Sequence, residues 1–431
     1  MLTDKLIINL KYKKILKQRR GNMLEIVKTE GKSLNDYIDI IGKEEIESIR
    51  KLALSLKGKK VVHINATSFG GGVAEILSAL VPLMKDVGIE VEWQVIKASD
   101  DFFNVTKAIH NGLQGMDVPF TKEMKEVFLK NNQLNEKLFE GEYDFVVIHD
   151  PQPVAILNYR QEKKGKWIWR FHIDPTSAQE KIWKFIKQFI EKHDAAIFTL
   201  KEYVKDDLKL KNIAIIPPAI DPLSPKNMDL EQEEIKNIVT KYKVDPDRPI
   251  ITQVSRFDPW KDPLGVIDMY RMVKREVKDV QLVLIASMAN DDPEGWEYYE
   301  KTARHAGEDY DIHLLSNLNG VGNLEVNAFQ RASDVIIQKS LREGFGLVIT
   351  EALWKGKPVV AANVGGIPLQ VDNRRTGFLV GDISECAERV IHLLKDSEIA
   401  HKMGTSGKEY VRKNFLITRL LKDYLNLFNS L

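Results

Sequence analysis

Short apolar strand patterns that alternate with amphipathic helix patterns constrain the fold of this chain more than any other feature. The alternation runs from about residue 59 to residue 216, stops at four prolines within residues 217–225, and then restarts. Apolar runs of this length between helices are typical of parallel strands that are buried on both faces. Prolines at such density indicate a linker. The sequence therefore predicts an α/β protein with two doubly wound domains that face a deep cleft.

The restart of the pattern also predicts the domain boundaries. A chain of 431 residues is too long for one ordinary core. We expect a first domain at residues 23–222, a second at 223–415, and a helix at 416–431 that packs back on the first domain. Residues 1–22 are basic and fit none of these elements. Our hypothesis is that Met23 is the true start and that the extension is not native; a basic tail is the alternative.

Composition excludes several classes of protein. The chain has 63 basic and 62 acidic residues, so its formal net charge of +1 gives no electrostatic footprint for nucleic acid. The one cysteine, Cys386, excludes an intramolecular disulfide and fits a reducing cytoplasm. No apolar run approaches the roughly 18–20 residues of a membrane span, and the sequence does not open like a signal peptide. We expect a cytoplasmic protein, and the 29% of charged residues favours a thermophilic source.

One predicted helix leaves two interpretations open. Residues 178–193 carry apolar side chains at helical spacing with lysines between them. A helix that faces the core has this pattern, and so does a helix that lies on a membrane surface. We favour the core.

Residues 340–353, S-L-R-E-G-F-G-L-V-I-T-E-A-L, predict a corner between a strand and a helix. Gly344 and Gly346 let a ligand approach the backbone, and the free amides at the start of the helix favour an anion. The flanking carboxylates of Glu343 and Glu351 accept hydrogen bonds, which suits sugar hydroxyls. The corner thus predicts a site for a nucleotide sugar or a sugar phosphate. A glycine turn with a capping acid is the alternative.

Two cations follow the strand predicted at residues 250–254. Arg256 and Lys261 lie in S-R-F-D-P-W-K, at the carboxyl end of that strand. Such a pair can neutralise a diphosphate leaving group, whose charge grows as its bond to a sugar breaks. A solvated salt bridge within the loop is the alternative.

Three loops of the first half carry further candidates. Gly70-Gly71-Gly72 lie between a strand and a helix, where a tight turn is the alternative, and they match neither the Walker nor the dinucleotide pattern. Asp150 and Gln152 follow a second strand and His172 a third, and open α/β sheets bind ligands at such strand ends. His172 suits a sugar hydroxyl or an oxyanion; a structural hydrogen bond is the alternative. No metal-binding motif occurs, so we expect no tightly held metal.

These residues resemble a known family. The motifs S-R-F-D-P-W-K, E-G-F-G-L-V-I-T-E and N-V-G-G-I-P are similar to those of retaining glycosyltransferases with two Rossmann-like domains, the GT-B type of family four. The motifs V-V-H-I-N-A-T-S-F-G-G-G-V-A-E-I-L, V-V-I-H-D-P-Q-P and W-I-W-R-F-H-I-D-P resemble the trehalose glycosyltransferring synthases and the related trehalose phosphorylases. The likeness covers residues 34 to 431.

The resemblance implies that the chain transfers glucose from a nucleoside-diphosphate glucose to the anomeric hydroxyl of glucose, giving α,α-trehalose reversibly with retention. It also implies the roles of individual residues. Those assigned to catalysis are Glu343, Arg256, Lys261 and His172; those assigned to the donor are Gly71, Gly72, Gly344, Phe345, Gly346, Leu347 and Glu351; and those assigned to the acceptor are Asp150 and Gln152.

Within these roles, Glu343 would hold donor-glucose hydroxyls, Glu351 the ribose, and the two cations the diphosphate. We expect no tightly bound cofactor, with Mg²⁺ left open as an activator, and a homodimer. A trehalose phosphorylase, a GT-B glucosyltransferase with another acceptor, and a nucleotide-sugar sensor that kept the fold remain alternatives.

Overall fold

The computed structural model of the protein describes residues 23–288 and 293–431. The hypothesis about residues 1–22 lies outside these residues. The described chain forms two compact units, one of residues 23–217 with 420–431 and the other of residues 218–419. Each unit contains one sheet with helices.

The first sheet has seven strands in the order β1-β3-β2-β4-β5-β6-β7. The strands are β1 (Glu25–Ile26), β2 (Lys60–Asn65), β3 (Glu90–Val95), β4 (Phe145–His149), β5 (Lys166–Arg170), β6 (Ala195–Phe198) and β7 (Asn212–Ile215). All neighbours are parallel except β1, which runs antiparallel to β3. The six parallel strands were predicted. The two residues of β1 were not, because so short a strand has no periodicity to detect.

The second sheet has six strands in the order β10-β9-β8-β11-β12-β13, all parallel. They are β8 (Ile250–Ser255), β9 (Gln281–Ala286), β10 (Ile312–Ser316), β11 (Val335–Gln338), β12 (Val359–Ala362) and β13 (Gly377–Val380). Apolar residues cover both of its faces and form two separate clusters. This burial on both sides confirms the interpretation of the apolar runs as parallel strands.

Helices connect the strands in both units. In the first they are Ile38–Ile41, Lys43–Ala53, Gly72–Asp86, Asp100–Leu113, Lys122–Leu138 and Glu180–Ile190. In the second they are Gln232–Lys241, Pro263–Glu276, Pro293–Ala306, Asn323–Ala332, Leu347–Trp354, Ile367–Gln370, Ile383–Lys395 and Ser397–Asn414, and the last helix of the chain is Ile417–Ser430. Short 3₁₀ helices lie at Leu34–Tyr37, Leu54–Leu56, Ile156–Tyr159, Lys201–Tyr203, Pro259–Lys261 and Asn317–Asn319.

The structure tests two helix predictions, the helical lead-in at residues 34–56 and the amphipathic helix predicted at residues 178–193. The sequence also predicts a helical lead-in at residues 34–56, and the structure confirms it as a series of short helices, which Gly42 interrupts with a φ of 84°. The helix Glu180–Ile190 buries all six of its apolar side chains, which decides for the core and against a membrane surface. Among the described residues, no helix combines the length and the apolar character that crossing a bilayer requires.

The C-terminal helix contributes its last turns to the first unit. The ring of Phe428 stacks on that of Phe145 in β4, with centroids 4.4 Å apart. Lys422 donates a 2.8 Å hydrogen bond to Glu45, and the ring of Tyr424 meets the edge of His63 in β2. The end of the chain therefore covers one face of the first sheet.

Phe428→Ala removes the ring that stacks on Phe145, and we expect the free energy of unfolding to fall by about 3–5 kcal/mol. Asn426→Ala is the matched control, because Asn426 is exposed on the same helix. Chemical denaturation of both variants measures the difference. Equal stabilities would show that the end of this helix is not part of the folded first unit.

Candidate active site

The predicted corner of the second unit exists and begins the helix Leu347–Trp354. Gly346 precedes the helix with a φ of 88°, a left-handed conformation that other residues rarely adopt. The Phe345 side chain is only 5% exposed and packs against Phe415. Its carbonyl oxygen accepts a hydrogen bond from Gln370. The backbone from Gly344 to Leu347 is thus held in place next to the positive end of a helix dipole.

Glu343 lies at the centre of this corner and forms an ion pair with Lys261. The Lys261 Nζ is 2.6 Å from Oε2 of Glu343, and the two side chains are only 14% and 12% exposed. Ser340 Oγ and Gln338 Nε2 lie 3.3 Å and 3.4 Å from the same oxygen. One carboxylate oxygen therefore has three donors, which fixes the side chain before any ligand arrives.

The loop after β8 holds the two predicted cations differently. Asp258 caps the short helix Pro259–Lys261 by accepting from the Lys261 amide, and its other oxygen is 3.0 Å from Arg256. The guanidinium side chain of Arg256 is 62% exposed, whereas Lys261 is nearly enclosed. Arg256 therefore reaches solvent and remains accessible to an anion, while Lys261 is already committed to Glu343.

Glu351 is almost completely buried, and sequence reasoning missed its partner. Lys226 Nζ lies 3.1 Å from Glu351 Oε1. Lys355, which follows the helix and lies four residues after Glu351, donates to Asn227 and to the Glu351 carbonyl oxygen, and burial lowers the pKa of Lys355 to about 7. The spacing of four residues was a detectable signal for Lys355. Lys226 follows the proline-rich linker, and no sequence pattern connects it with Glu351.

The candidates of the first unit lie at the carboxyl ends of β2, β4 and β5. Gly70 and Gly71 have φ values of 69° and 98°, and a Cβ on either would meet no atom within 4 Å. Gly72 begins the helix Gly72–Asp86. This loop therefore has open space beside its backbone, as donor binding requires. The role of Gly71 and Gly72 in binding the donor stays a prediction.

Asp150 and His172 are brought together directly. Oδ1 of Asp150 accepts a 2.9 Å hydrogen bond from the His172 amide, and the Asp150 backbone has a φ of 63°. Burial raises the pKa of Asp150 to about 7. Gln152 lies nearby in sequence, and its buried Oε1 accepts no hydrogen bond from any described residue. A buried amide oxygen without a donor is uncommon in folded proteins.

His172 has a ring partner that the sequence did not indicate. Its Nε2 lies 3.0 Å from Nδ1 of His149, and Nε2 of His149 lies 3.0 Å from Nδ1 of His63. Burial lowers the pKa of all three imidazoles, to about 3 for His63. These histidines are therefore neutral at pH 7.

The described residues contain no group of three His, Cys, Asp or Glu side chains that could hold a metal ion. The roles of the site residues, the absence of a tightly bound cofactor and the action of Mg²⁺ as an activator stay predictions.

Asp150→Asn tests the raised pKa. An unfolded aspartate titrates near pH 3.9, so the folded protein binds this proton more tightly, and the free energy of unfolding falls by at most about 4 kcal/mol as pH rises from 4 to above 7. Asparagine tolerates positive φ and keeps an oxygen for the His172 amide. We expect the wild type to lose stability relative to the variant between pH 4.5 and pH 8 in denaturant titrations. If the free energies of unfolding of the wild type and the variant change with pH in parallel, the pKa of Asp150 is not raised.

Comparison with solved structures supports the fold. A structure described as trehalose-6-phosphate from E. coli bound with UDP-2-fluoro glucose superposes with a TM-score of 0.71, over 86% of this chain and 99% of that one, at 14% sequence identity. At this identity the likeness concerns the fold alone. The two parallel sheets are those of GT-B glycosyltransferases, with two Rossmann-like domains.

Sequence comparisons are more specific. A family model described as "Trehalose synthase, N-terminal domain" matches residues 63–205, and one described as "Glycosyl transferases group 1" matches residues 234–410. Trehalose phosphorylase of Pleurotus pulmonarius is 30% identical over 88% of this chain and 58% of its own length. Trehalose synthase of Thermococcus litoralis is 53% identical over 95% of this chain and 100% of its own length. The chain therefore belongs to the trehalose synthase family of GT-B glycosyltransferases.

Proposed function

We propose that this enzyme transfers glucose from a nucleoside-diphosphate glucose to the anomeric hydroxyl of free glucose, with retention at the donor carbon, to give α,α-trehalose reversibly. The observation that carries the proposal is the corner at Glu343. A carboxylate fixed by Lys261 lies beside the start of a helix whose free amides favour an anion. A sugar attached to phosphate fits this combination of a hydroxyl acceptor and an anion site.

On the donor side, Arg256, Lys261 and the backbone amides after Gly346 stabilise the diphosphate as its charge develops. Glu343 accepts hydrogen bonds from the hydroxyls of the glucose being transferred. Glu351 accepts hydrogen bonds from the ribose hydroxyls. Its carboxylate also forms an ion pair with Lys226, which balances the negative charge of Glu351 while the donor is bound.

On the acceptor side, Asp150 and Gln152 orient the incoming glucose, and His172 contacts the donor sugar. The oxygen of the acceptor bonds to the anomeric carbon on the face from which the phosphate oxygen leaves. The acceptor proton passes to that phosphate oxygen, so no charged protein nucleophile is needed and the α configuration is retained. Because burial lowers the pKa of His172, its ring is neutral at pH 7 and suits hydrogen bonding rather than proton transfer.

A trehalose phosphorylase is the second candidate. Its support is the 30% identity to the phosphorylase of Pleurotus pulmonarius together with the same cations, which suit inorganic phosphate as well as a diphosphate. This chain spans 58% of that relative, so the comparison leaves out much of the other protein. The cytoplasmic location and the homodimer stay predictions.

Product analysis distinguishes the candidates. Purified protein is incubated with glucose and, in parallel, with uridine-, adenosine- or guanosine-diphosphate glucose, and separately with trehalose and phosphate. A non-reducing disaccharide with two α linkages by proton NMR supports the synthase and ranks the bases. If trehalose and phosphate give glucose 1-phosphate and no donor gives a disaccharide, the synthase proposal is wrong and the protein is a phosphorylase.

Lys261→Met removes the ammonium group but keeps most of the side-chain volume, and we expect kcat/KM for the donor to fall about 100-fold, the usual loss for one electrostatic contact to the developing charge. Glu343→Gln should give a loss of similar size, because a neutral amide binds hydroxyls and Lys261 more weakly. The matched control is Lys395→Met, which removes a lysine from a surface ion pair with Glu276. Initial rates and circular dichroism measure activity and folding. Full activity of Lys261→Met would refute its role.

A further inference from the structure

Three buried histidines cross the first sheet on one face. In the parallel register of the sheet, His63 of β2 pairs with Val147 of β4, and His149 of β4 pairs with Arg170 of β5. Paired residues face the same side, and so do residues two apart on one strand. The three histidines therefore follow one another across the same face of the sheet. His63 lies on β2, His149 on β4, and His172 two residues beyond the end of β5.

The alternate positions of β2 and β4 are apolar. Val62, Ile64, Val146 and Ile148 point to the opposite face and belong to one large hydrophobic cluster. The histidines instead occupy the face covered by Tyr424 of the last helix. Burying three imidazoles has a desolvation cost that apolar side chains at the same positions would avoid. A packing role alone does not account for this choice of residues.

The hydrogen bonds allow only two arrangements of protons. Each neutral imidazole has one donor nitrogen and one acceptor nitrogen. If His63 donates from Nδ1, then His149 accepts at Nε2 and must donate from Nδ1 to His172. In the reverse arrangement every donor becomes an acceptor. The tautomers of the three rings therefore change together or not at all.

His63, at the buried end of the row of three histidines, selects between the two arrangements of protons. His63 is fully buried, and its Nε2 has no hydrogen-bond partner among the described residues. A buried N–H group without an acceptor is rarer in proteins than a buried acceptor without a donor. The proton of His63 therefore belongs on Nδ1. The same order puts the proton of His172 on its own Nδ1, and His172 is the most exposed of the three histidines.

We propose that His149 and His63 are positioning residues: their hydrogen bonds fix the ring orientation and the tautomer of His172, so that His172 presents an Nδ1–H donor at the carboxyl edge of the first sheet. Such a donor suits an oxygen of a sugar. The link to catalysis rests on the proposed function, in which His172 contacts the donor sugar. The tautomer itself is a property of the protein without substrate.

The variants His149→Asn and His149→Leu provide a matched pair. Asparagine and leucine have nearly the same shape, so both leave a similar cavity. The Nδ2 of asparagine lies close to the position of histidine Nδ1 and can still donate to His172 Nε2, whereas leucine cannot. A free neutral histidine prefers its proton on Nε2, so His172 should revert to that tautomer only in the leucine variant.

Long-range ¹H–¹⁵N correlation spectra of histidine-labelled protein report the tautomers, with His172→Phe identifying the His172 signals. We expect the Nδ1–H form of His172 in the wild type and in His149→Asn, and the Nε2–H form in His149→Leu. Nε2–H in the wild type, or an unchanged His172 signal in His149→Leu, would overturn the inference.

Steady-state kinetics test the link to the reaction. We expect His149→Asn to retain a kcat at least tenfold higher than that of His149→Leu, with similar KM values for the donor. Equal kcat values despite different tautomers would refute the positioning role. If the wild type transfers glucose from no donor while the spectra behave as expected, the proposed function fails and the tautomer lock stands.

Discussion

The ion pair between Lys261 and Glu343 is the interaction on which the site of the second unit depends. Taking two such charges out of water costs several kcal/mol each, and only good geometry with additional hydrogen bonds offsets that cost. Here the additional bonds come from Ser340 and Gln338. The ion pair itself also requires that the loops after the neighbouring strands β8 and β11 keep a fixed position relative to each other. The Leu341 amide donates to the Trp260 carbonyl, which joins the two loops directly. The Gln253 side chain also joins them, because it donates to the Lys261 carbonyl and accepts from the Lys339 amide.

The sequence predicted most of the fold because its strands are buried on both faces and its helices are amphipathic. All twelve parallel strands produced recognisable apolar runs, whereas β1, which is two residues long and antiparallel, did not. The helical lead-in at residues 34–56 was predicted, but its interruption at Gly42 was not. Helical periodicity describes side chains, and the break at Gly42 is a property of the backbone.

Parts of the site were less predictable, for reasons of geometry. Glu343, Gly346 and Lys261 follow strands in recognisable motifs, so their positions could be inferred from strand ends alone. Lys226 and His149 could not, because their contacts depend on how distant segments lie against each other. The histidine chain follows only once the pairing of β2, β4 and β5 is known, since a shift of one residue would place a histidine on the other face.

The two units differ in the charge of the groups that they bring to their strand ends. In the second unit these groups are ions held in fixed pairs, and Arg256 is accessible to an anion. In the first they are imidazoles whose pKa burial lowers, an aspartate whose pKa burial raises to about 7, and the buried Arg170 at the end of β5. In the proposed reaction, a departing diphosphate would need positive charge, whereas an acceptor hydroxyl would need hydrogen-bond partners with fixed directions. Neutral imidazoles give a hydroxyl a fixed direction only if their own donors and acceptors are fixed, and the hydrogen bonds from His63 through His149 to His172 meet this condition.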